Sequence, residues 1–321
     1  MDYSKLNDII KSSKNILIIS HINPDGDTLG SMCGLAGAIK DNFKKKCDTL
    51  LISNLPKIYE FLPLVKESKC IDEIDKSREY DLAINVDVAA IDRICDGQTL
   101  FDRAKCTVNI DHHKTNNAYG DLNIIEADAS STGEILYGVM KDLGWTISLD
   151  TAKCLYTAIL TDTGSFRFNN TTSRAMKYAS ELVKIGVVPA EIYKYCYESN
   201  PKSQVLLQAY CVEKAVFSPD NKIVYTTVYK KDIEKFNAGD DCTEGLTERL
   251  RAINSTEVAF VVKQSGHNIS KVSMRSKGVD VAAVCTAFGG GGHTLAAGCV
   301  VKSSVEDTVR KVLDEVNKKM Y

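Results

Sequence analysis

Short apolar runs that end in clusters of polar residues recur along this chain and set its grammar. Residues 15–20 (NILIIS) form a continuous apolar stretch of the kind that makes a strand covered on both faces. A helix-patterned segment, residues 3–12, precedes it. Residues 28–45 follow as a predicted helix whose Gly30, Ser31, Gly34, Ala36, Gly37 and Ala38 would let it lie close on a sheet. Residues 80–87 and 106–111 repeat the strand pattern, and residues 151–162 read as a helix running into Thr-Asp-Thr-Gly. Polar residues follow the carboxyl ends of these strands, which is where ligands bind in open parallel α/β sheets. The pattern predicts an α/β unit: a mainly parallel sheet flanked by helices.

Residues 173–216 are mostly helix-patterned, broken by Gly186, Pro189 and Pro201. Beyond them, residues 221–229, 257–264 and 269–275 alternate like half-buried strands, and residues 304–319 read as a closing amphipathic helix. This order fits a smaller α+β domain. The expected organisation is a first domain over residues 1–195, a helical linker over 196–215 and a second domain over 216–321. At ~100–200 residues per domain, 321 residues accommodate two.

Composition narrows the function. With 44% hydrophobic and 26% charged residues the chain is globular, not disordered or collagen-like. Its 40 Lys+Arg against 42 Asp+Glu leave a net charge of −2, so no global basic field exists to hold a long duplex DNA or an anionic membrane. A polyanionic substrate must be gripped locally. The 11 cysteines are odd in number, irregularly spaced and without a C-x-x-C, which points to reduced thiols. The first 30 residues lack a signal-peptide pattern, and no apolar run approaches the ~18–20 residues of a membrane span, so a cytoplasmic protein is expected.

The chemistry lies with the histidines. Of five, His21, His112, His113 and His293 sit in segments rich in Asp or Gly. In His21-Ile-Asn-Pro-Asp25-Gly-Asp27, three ligand-competent side chains leave one short turn at a strand end. In Asp111-His112-His113, an extended backbone turns His112 away from Asp111 and His113, so the two histidines should have different roles. Asp87 and Asp162 stand at the ends of apolar segments. Imidazoles beside hard carboxylates suit manganese, iron, cobalt or magnesium better than a structural zinc. His21, Asp25, Asp27, Asp87, His112 and Asp162 are the candidate ligands, enough for a two-metal site. In the second domain Phe288-Gly-Gly-Gly-Gly-His293 removes successive Cβ atoms, so backbone amides could cradle a phosphate, with Arg275 as a second anion ligand.

Residues 21–31 (HINPDGDTLGS), Asp87, Asp111–His113 and residues 161–167 (TDTGSFR) together resemble the DHH phosphoesterase superfamily. Residues 272–298, with SMRSKG and FGGGGHTLAAG, resemble its associated C-terminal domain, and the whole chain is most similar to the bacterial oligoribonuclease and 3′-phosphoadenosine-5′-phosphate phosphatase group, the nanoRNases. The resemblance implies an active site in the cleft between the domains. It implies one manganese on His21, Asp25 and Asp87 and a second on Asp27, Asp87, His112 and Asp162, with magnesium or cobalt as substitutes. It further implies that His113 faces the scissile phosphate, that Asp111 orients the motif, and that Arg275, Ser276, Gly289, Gly290, Gly291, Gly292 and His293 bind the substrate's far end. A possible homodimer is implied as well.

The expected reaction is hydrolysis, by a metal-bridging hydroxide, of short single-stranded RNA oligonucleotides to mononucleotides and of the nucleotide bisphosphate to AMP. Asp87, Asp111 and His113 are the expected catalytic residues. Hydrolysis of linear or cyclic dinucleotides is the alternative. Two readings weigh less: an inorganic pyrophosphatase, which shares the first-domain motifs without the glycine loop, and a nucleotide-binding protein that has lost turnover.

Overall fold

A computed structural model describes residues 3–239 and 242–320. The chain divides into two compact units between Ser199 and Asn200. The first contains α1 (Ser4–Ser12), β1 (Ile16–Ile19), α2 (Gly26–Phe43), β2 (Cys47–Leu51), β3 (Lys69–Cys70), β4 (Leu82–Val86), α3 (Gln98–Asp102), β5 (Thr107–Asp111), β6 (Leu122–Ile125), α4 (Thr132–Asp142), α5 (Leu149–Asp162), α6 (Ser173–Ile185) and α7 (Pro189–Tyr197). Its six strands are all parallel, in the order β3-β2-β1-β4-β5-β6.

The apolar runs explain the layering. Along β1, Ile16 and Ile18 join the core shared with α2, α4 and α5, while Leu17 and Ile19 join Leu50, Tyr80 and Phe101 on the opposite face. Both faces are covered, so no position is left for alternation with polar residues. From β1 the chain moves outward through β2 and β3, then returns to β4 on the other side of β1. Such a reversal opens a crevice at the carboxyl ends of the two central strands.

The small residues of α2 do more than let it lie on the sheet. They bring it against α5 as well as onto the sheet: a Cβ at Gly30 would lie 2.4 Å from the Cys154 carbonyl oxygen and 3.0 Å from the Ala158 nitrogen. The two helices meet backbone to backbone. On its other faces α2 buries Leu29, Met32, Leu35 and Ile39 completely, each contributing about 1.5–3 kcal/mol over an exposed position.

The second unit contains α8 (Lys202–Glu213), β7 (Val216–Phe217), β8 (Ile223–Val228), α9 (Lys230–Phe236), α10 (Leu246–Arg251), β9 (Val258–Gly266), β10 (Ile269–Ser276), α11 (Val281–Thr286), β11 (Gly291–His293), β12 (Ala296–Val301) and α12 (Val305–Met320). The strand order is β11-β12-β10-β9-β8-β7, antiparallel except for the parallel β8/β9 pair. Val258, Phe260 and Val262 of β9 face a core with α11 and α12, and Ala259 and Val261 face one with α8 and α10. Helix α8, within residues 196–215, buries Leu207 and Cys211 in that second core. Part of the glycine loop is a strand: residues 291–293 pair with residues 296–298 at the start of β12.

Candidate active site

The central strands deliver the site. His21 follows β1, Asp87 follows β4, and Asp111 ends β5 with His112 and His113 immediately after it. Pro24 and Asp25 lead into α2, where Asp25 is the N-cap and its Oδ1 accepts hydrogen bonds from the Asp27 and Thr28 amides, both at 3.0 Å. Asp162 arrives from the last residue of α5. One ligand-competent atom each from His21, Asp25 and Asp87 lies within 4.8 Å of the others, and the same holds for Asp27, His112 and Asp162. Asp87 links the triads: its Oδ2 is 3.5 Å from His21 Nε2 and its Oδ1 3.6 Å from His112 Nε2. His112 Nε2 is also 3.7 Å from Asp162 Oδ2 and 3.8 Å from Asp27 Oδ2.

Asp87 adopts the left-handed backbone region, at φ 61°, which a non-glycine residue rarely occupies. Its amide bonds to the Ile110 carbonyl at 2.9 Å and its carboxylate accepts from the hydroxyls of Thr28 (2.7 Å) and Thr132 (3.3 Å). Strain held by several bonds in a crevice is the mark of a positioned functional group.

The electrostatics favour a cation. Burial pushes the Asp27 carboxyl well above the usual carboxylate range, and the charges of Asp87, Asp162 and Asp25 add to it. Burial does the same to Asp162, reinforced by Asp25 and Asp87. Asp87 moves the other way: burial opposes its charge, but the His21 hydrogen bond and the His112, His21 and His113 imidazoles hold it below the ordinary range. For His21, burial disfavours the proton, and Asp87 outweighs it and raises the pKa. Buried carboxylates that repel one another are relieved by positive charge. Their donors are oxygen and imidazole nitrogen without thiolate, the set that hard divalent ions take. The cluster could hold a metal ion, and its chemistry fits one.

The two adjacent histidines take different partners at Nδ1, but alternation does not part them: their rings lie 4.6 Å apart, and His112 Nε2 and His113 Nδ1 both approach Asp87 Oδ1, at 3.6 and 3.7 Å. His112 Nδ1 lies 3.3 Å from the Ala129 carbonyl, which leaves Nε2 directed at the carboxylates. His113 Nδ1 lies 2.7 Å from Asp111 Oδ1, although its ring also comes within 3.7 Å of Asp87 Oδ1. Burial lowers its pKa, but the Asp111 hydrogen bond and the Asp87 charge raise it to about 9, which favours the protonated ring.

Several supporting residues were not singled out from the sequence. Asn116 donates to Asp111 Oδ2 at 2.6 Å, Thr28 Oγ1 sits 2.5 Å from His21 Nε2, and Arg93 Nη2 lies 3.2 Å from His21 Nδ1. Asn170 donates to the Asp162 carbonyl at 3.1 Å. Thr28 lies inside the recognisable 21–31 segment. The others come from ordinary-looking polar stretches.

In the second unit, Arg275 and His293 lie on β10 and β11, each opposite Ala296 of the intervening β12. Arg275 Nε donates to Glu248 Oε1 at 2.8 Å and Nη1 to the Met274 carbonyl at 2.9 Å. Ser276 is fully buried, and its hydroxyl donates to the Val279 carbonyl at 2.5 Å. Gly289 and Gly292 have positive φ, of 74° and 145°. A Cβ at Gly290 would lie 2.3 Å from the Gly298 carbonyl, so strand packing requires this glycine, whereas Gly291 faces open space.

Comparison with known proteins adds ancestry. The family described as "DHH family, N-terminal domain" matches residues 15–159, and the DHHA1 domain matches residues 220–321. The chain is 30% identical over 292 residues to the bifunctional oligoribonuclease and PAP phosphatase NrnA of Bacillus subtilis (strain 168), covering 90% of each. It is 33% identical over 300 residues to a probable bifunctional oligoribonuclease and PAP phosphatase NrnA of Streptococcus mutans, covering 93% of each. The crystal structure of an exopolyphosphatase-related protein from Bacteroides fragilis shares the fold, with TM-score 0.93 at 23% identity over 98% of this chain and 95% of that one. Among the described residues no helix is long and apolar enough to cross a membrane.

Proposed function

The chain belongs to the DHH phosphoesterase family and is a hydrolase acting on phosphoester bonds, and from that premise we propose that it is manganese-dependent and cleaves short RNA oligonucleotides to mononucleotides and 3′-phosphoadenosine 5′-phosphate to AMP. The observation that carries the metal part is the pair of ligand triads joined through Asp87. The substrate part rests on similarity along about nine-tenths of relatives named for those two activities.

His21, Asp25 and Asp87 would hold one ion, and Asp27, His112 and Asp162, with Asp87, a second. Bound there, two divalent cations supply a nucleophilic oxygen at neutral pH and neutralise charge on the phosphoryl group. The remaining chemistry belongs to the protein. Asp87 fixes the spacing of the triads. His113, held by Asp111, which favours its protonated form, would donate a hydrogen bond to a phosphoryl oxygen or its proton to the leaving oxygen. Arg275 and residues 289–293 are assigned to substrate binding, which would restrict the enzyme to small substrates, whereas the fully buried Ser276, its hydroxyl on the Val279 carbonyl, is not.

The test is hydrolysis, with manganese, of a 5′-phosphorylated RNA dinucleotide, 3′-phosphoadenosine 5′-phosphate and a long single strand side by side. Fast cleavage of the first two and slow cleavage of the third is expected. Equal rates on dinucleotide and long strand would overturn the size restriction. Three intact substrates alongside a cyclic dinucleotide that is cleaved would move the assignment to dinucleotide turnover.

A further inference from the structure

The segment between β6 and the first turn of α4, residues 126–134, touches three of the proposed ligands. The Ala129 carbonyl faces His112 Nδ1 at 3.3 Å. The Thr132 and Gly133 amides donate to Asp27 at 2.7 and 2.9 Å, and the Thr132 hydroxyl donates to Asp87 at 3.3 Å. Loops normally lack the rigidity that such a role requires.

This one is fastened at both ends by a single side chain. Glu126, whose amide bonds to the Asp111 carbonyl at 3.1 Å, begins the segment, and Glu134 ends it. Arg174, at the start of α6, donates from Nη1 to Glu126 Oε2 at 2.9 Å and from Nε to Glu134 Oε1. Glu134 is fully buried, its Oε2 accepts from the Ser130 amide at 2.7 Å, and its own amide is capped by Ser131 Oγ at 3.1 Å. Tyr3 holds the second oxygen of Glu126 at 2.6 Å. A planar guanidinium can engage two carboxylates at fixed angles, and a lysine cannot.

We infer that Arg174 is a positioning residue for the metal site: by clamping Glu126 and Glu134 it fixes the 126–134 segment, and through it the orientation of His112, Asp27 and Asp87. A buried carboxylate and its ion pair are often no better for stability than apolar residues of similar volume. Removing Arg174 alone leaves the Glu134 carboxylate buried and unpaired and so costs stability as well, and manganese affinity of the folded variants is what separates positioning from stability. The inference rests on the metal reading of the site proposed above.

Lys141 and Glu181 provide the control, because they also join α4 to α6, at 2.6–2.7 Å and at the far end of α4 from the site. Manganese titrations of the full chain by calorimetry, with kcat and KM on the dinucleotide, compare wild type with Arg174→Met, Arg174→Lys and Lys141→Met. Outer residues of metal sites typically govern affinity by about 10–100-fold, so Arg174→Met should weaken manganese binding at least about tenfold and lower kcat, with KM within about twofold. Arg174→Lys, which keeps the charge and loses one arm of the clamp, should fall between. Lys141→Met should bind manganese like wild type. Unchanged affinity in folded Arg174→Met, or equal weakening in Lys141→Met, overturns the inference. Should Arg174→Met not fold, Arg174→Lys binding as tightly as wild type does so. Failure of the wild-type chain to bind manganese would instead remove the site reading itself, and the inference with it.

Discussion

Gly30→Ala tests whether the contact of α2 with α5 sets the spacing of the site. A Cβ there would sit 2.4 Å from the Cys154 carbonyl oxygen, about 1 Å inside the 3.4 Å at which ordinary contact begins. The obstruction is helix backbone, so the helices must separate. Overpacking of this kind costs about 1–3 kcal/mol, against the roughly 1 kcal/mol that alanine gains over glycine inside a helix. The net expectation is a loss of up to about 2 kcal/mol. Because α2 presents Asp27 and α5 presents Asp162, a shift approaching 1 Å exceeds the ~0.5 Å tolerance of a ligand constellation. Manganese affinity should fall together with stability. Gly138→Ala, inside α4 and with no Cβ neighbour nearer than 3.5 Å, is the comparison and should stabilise by about 0.5–1 kcal/mol. Urea unfolding followed at the first unit, with a manganese titration of each variant, reads both effects. If Gly30→Ala is as stable as Gly138→Ala and binds manganese normally, the argument from close helix approach is wrong.

Other consequences are open to direct measurement. Asn116→Ala removes the 2.6 Å bond to Asp111 and the 3.0 Å bond to the Val88 carbonyl, and should cost about 1–3 kcal/mol of stability. It should lower kcat more than it raises KM, because Asp111 then holds His113 less firmly. A larger change in KM than in kcat would contradict that role. Asp81 accepts from the Asn15 amide, Lys105 and the Lys14 amide, which together hold its carboxyl well below the ordinary range. A depressed folded pKa stabilises above the unfolded value of ~4 and is lost as pH falls, so Asp81→Asn should flatten the decline of the melting temperature from about pH 5 to pH 3. Parallel melting curves for the two proteins across that interval would remove Asp81 from the account.

What could be read without coordinates follows from locality. Strand β1 announces itself because it is apolar throughout, and β4 because only Asn85 interrupts it; the candidate ligands after β1 are visible because Pro, Gly, Asp and His have little reason to gather there otherwise, whereas Asp87 stands out only as a carboxylate at a strand end. Strand β2 is hidden by Asp48 and Thr49, whose partners Tyr80 and Ser68 are remote in sequence. The amides that hold Asp27 belong to residues more than a hundred positions away, so no local pattern can contain them. Strand β11 consists of Gly291, Gly292 and His293, too few side chains to show a period, and only its pairing with β12 reveals it. Asn116 lies in a polar stretch that reads as loop, and the buried Asp111 it serves gives it meaning.

In the proposed function, Asp87 joins two cation-binding triads into one phosphoesterase site. Bound manganese per folded chain, measured by mass spectrometry after equilibrium dialysis, tests it most directly when wild type and Asp87→Asn are compared and the RNA dinucleotide is assayed in the same samples. Two ions per wild-type chain, with loss of bound manganese and of hydrolysis in a folded Asp87→Asn protein, is the predicted result. An Asp87→Asn protein that retains both ions and cleaves the dinucleotide at the wild-type rate would contradict the account.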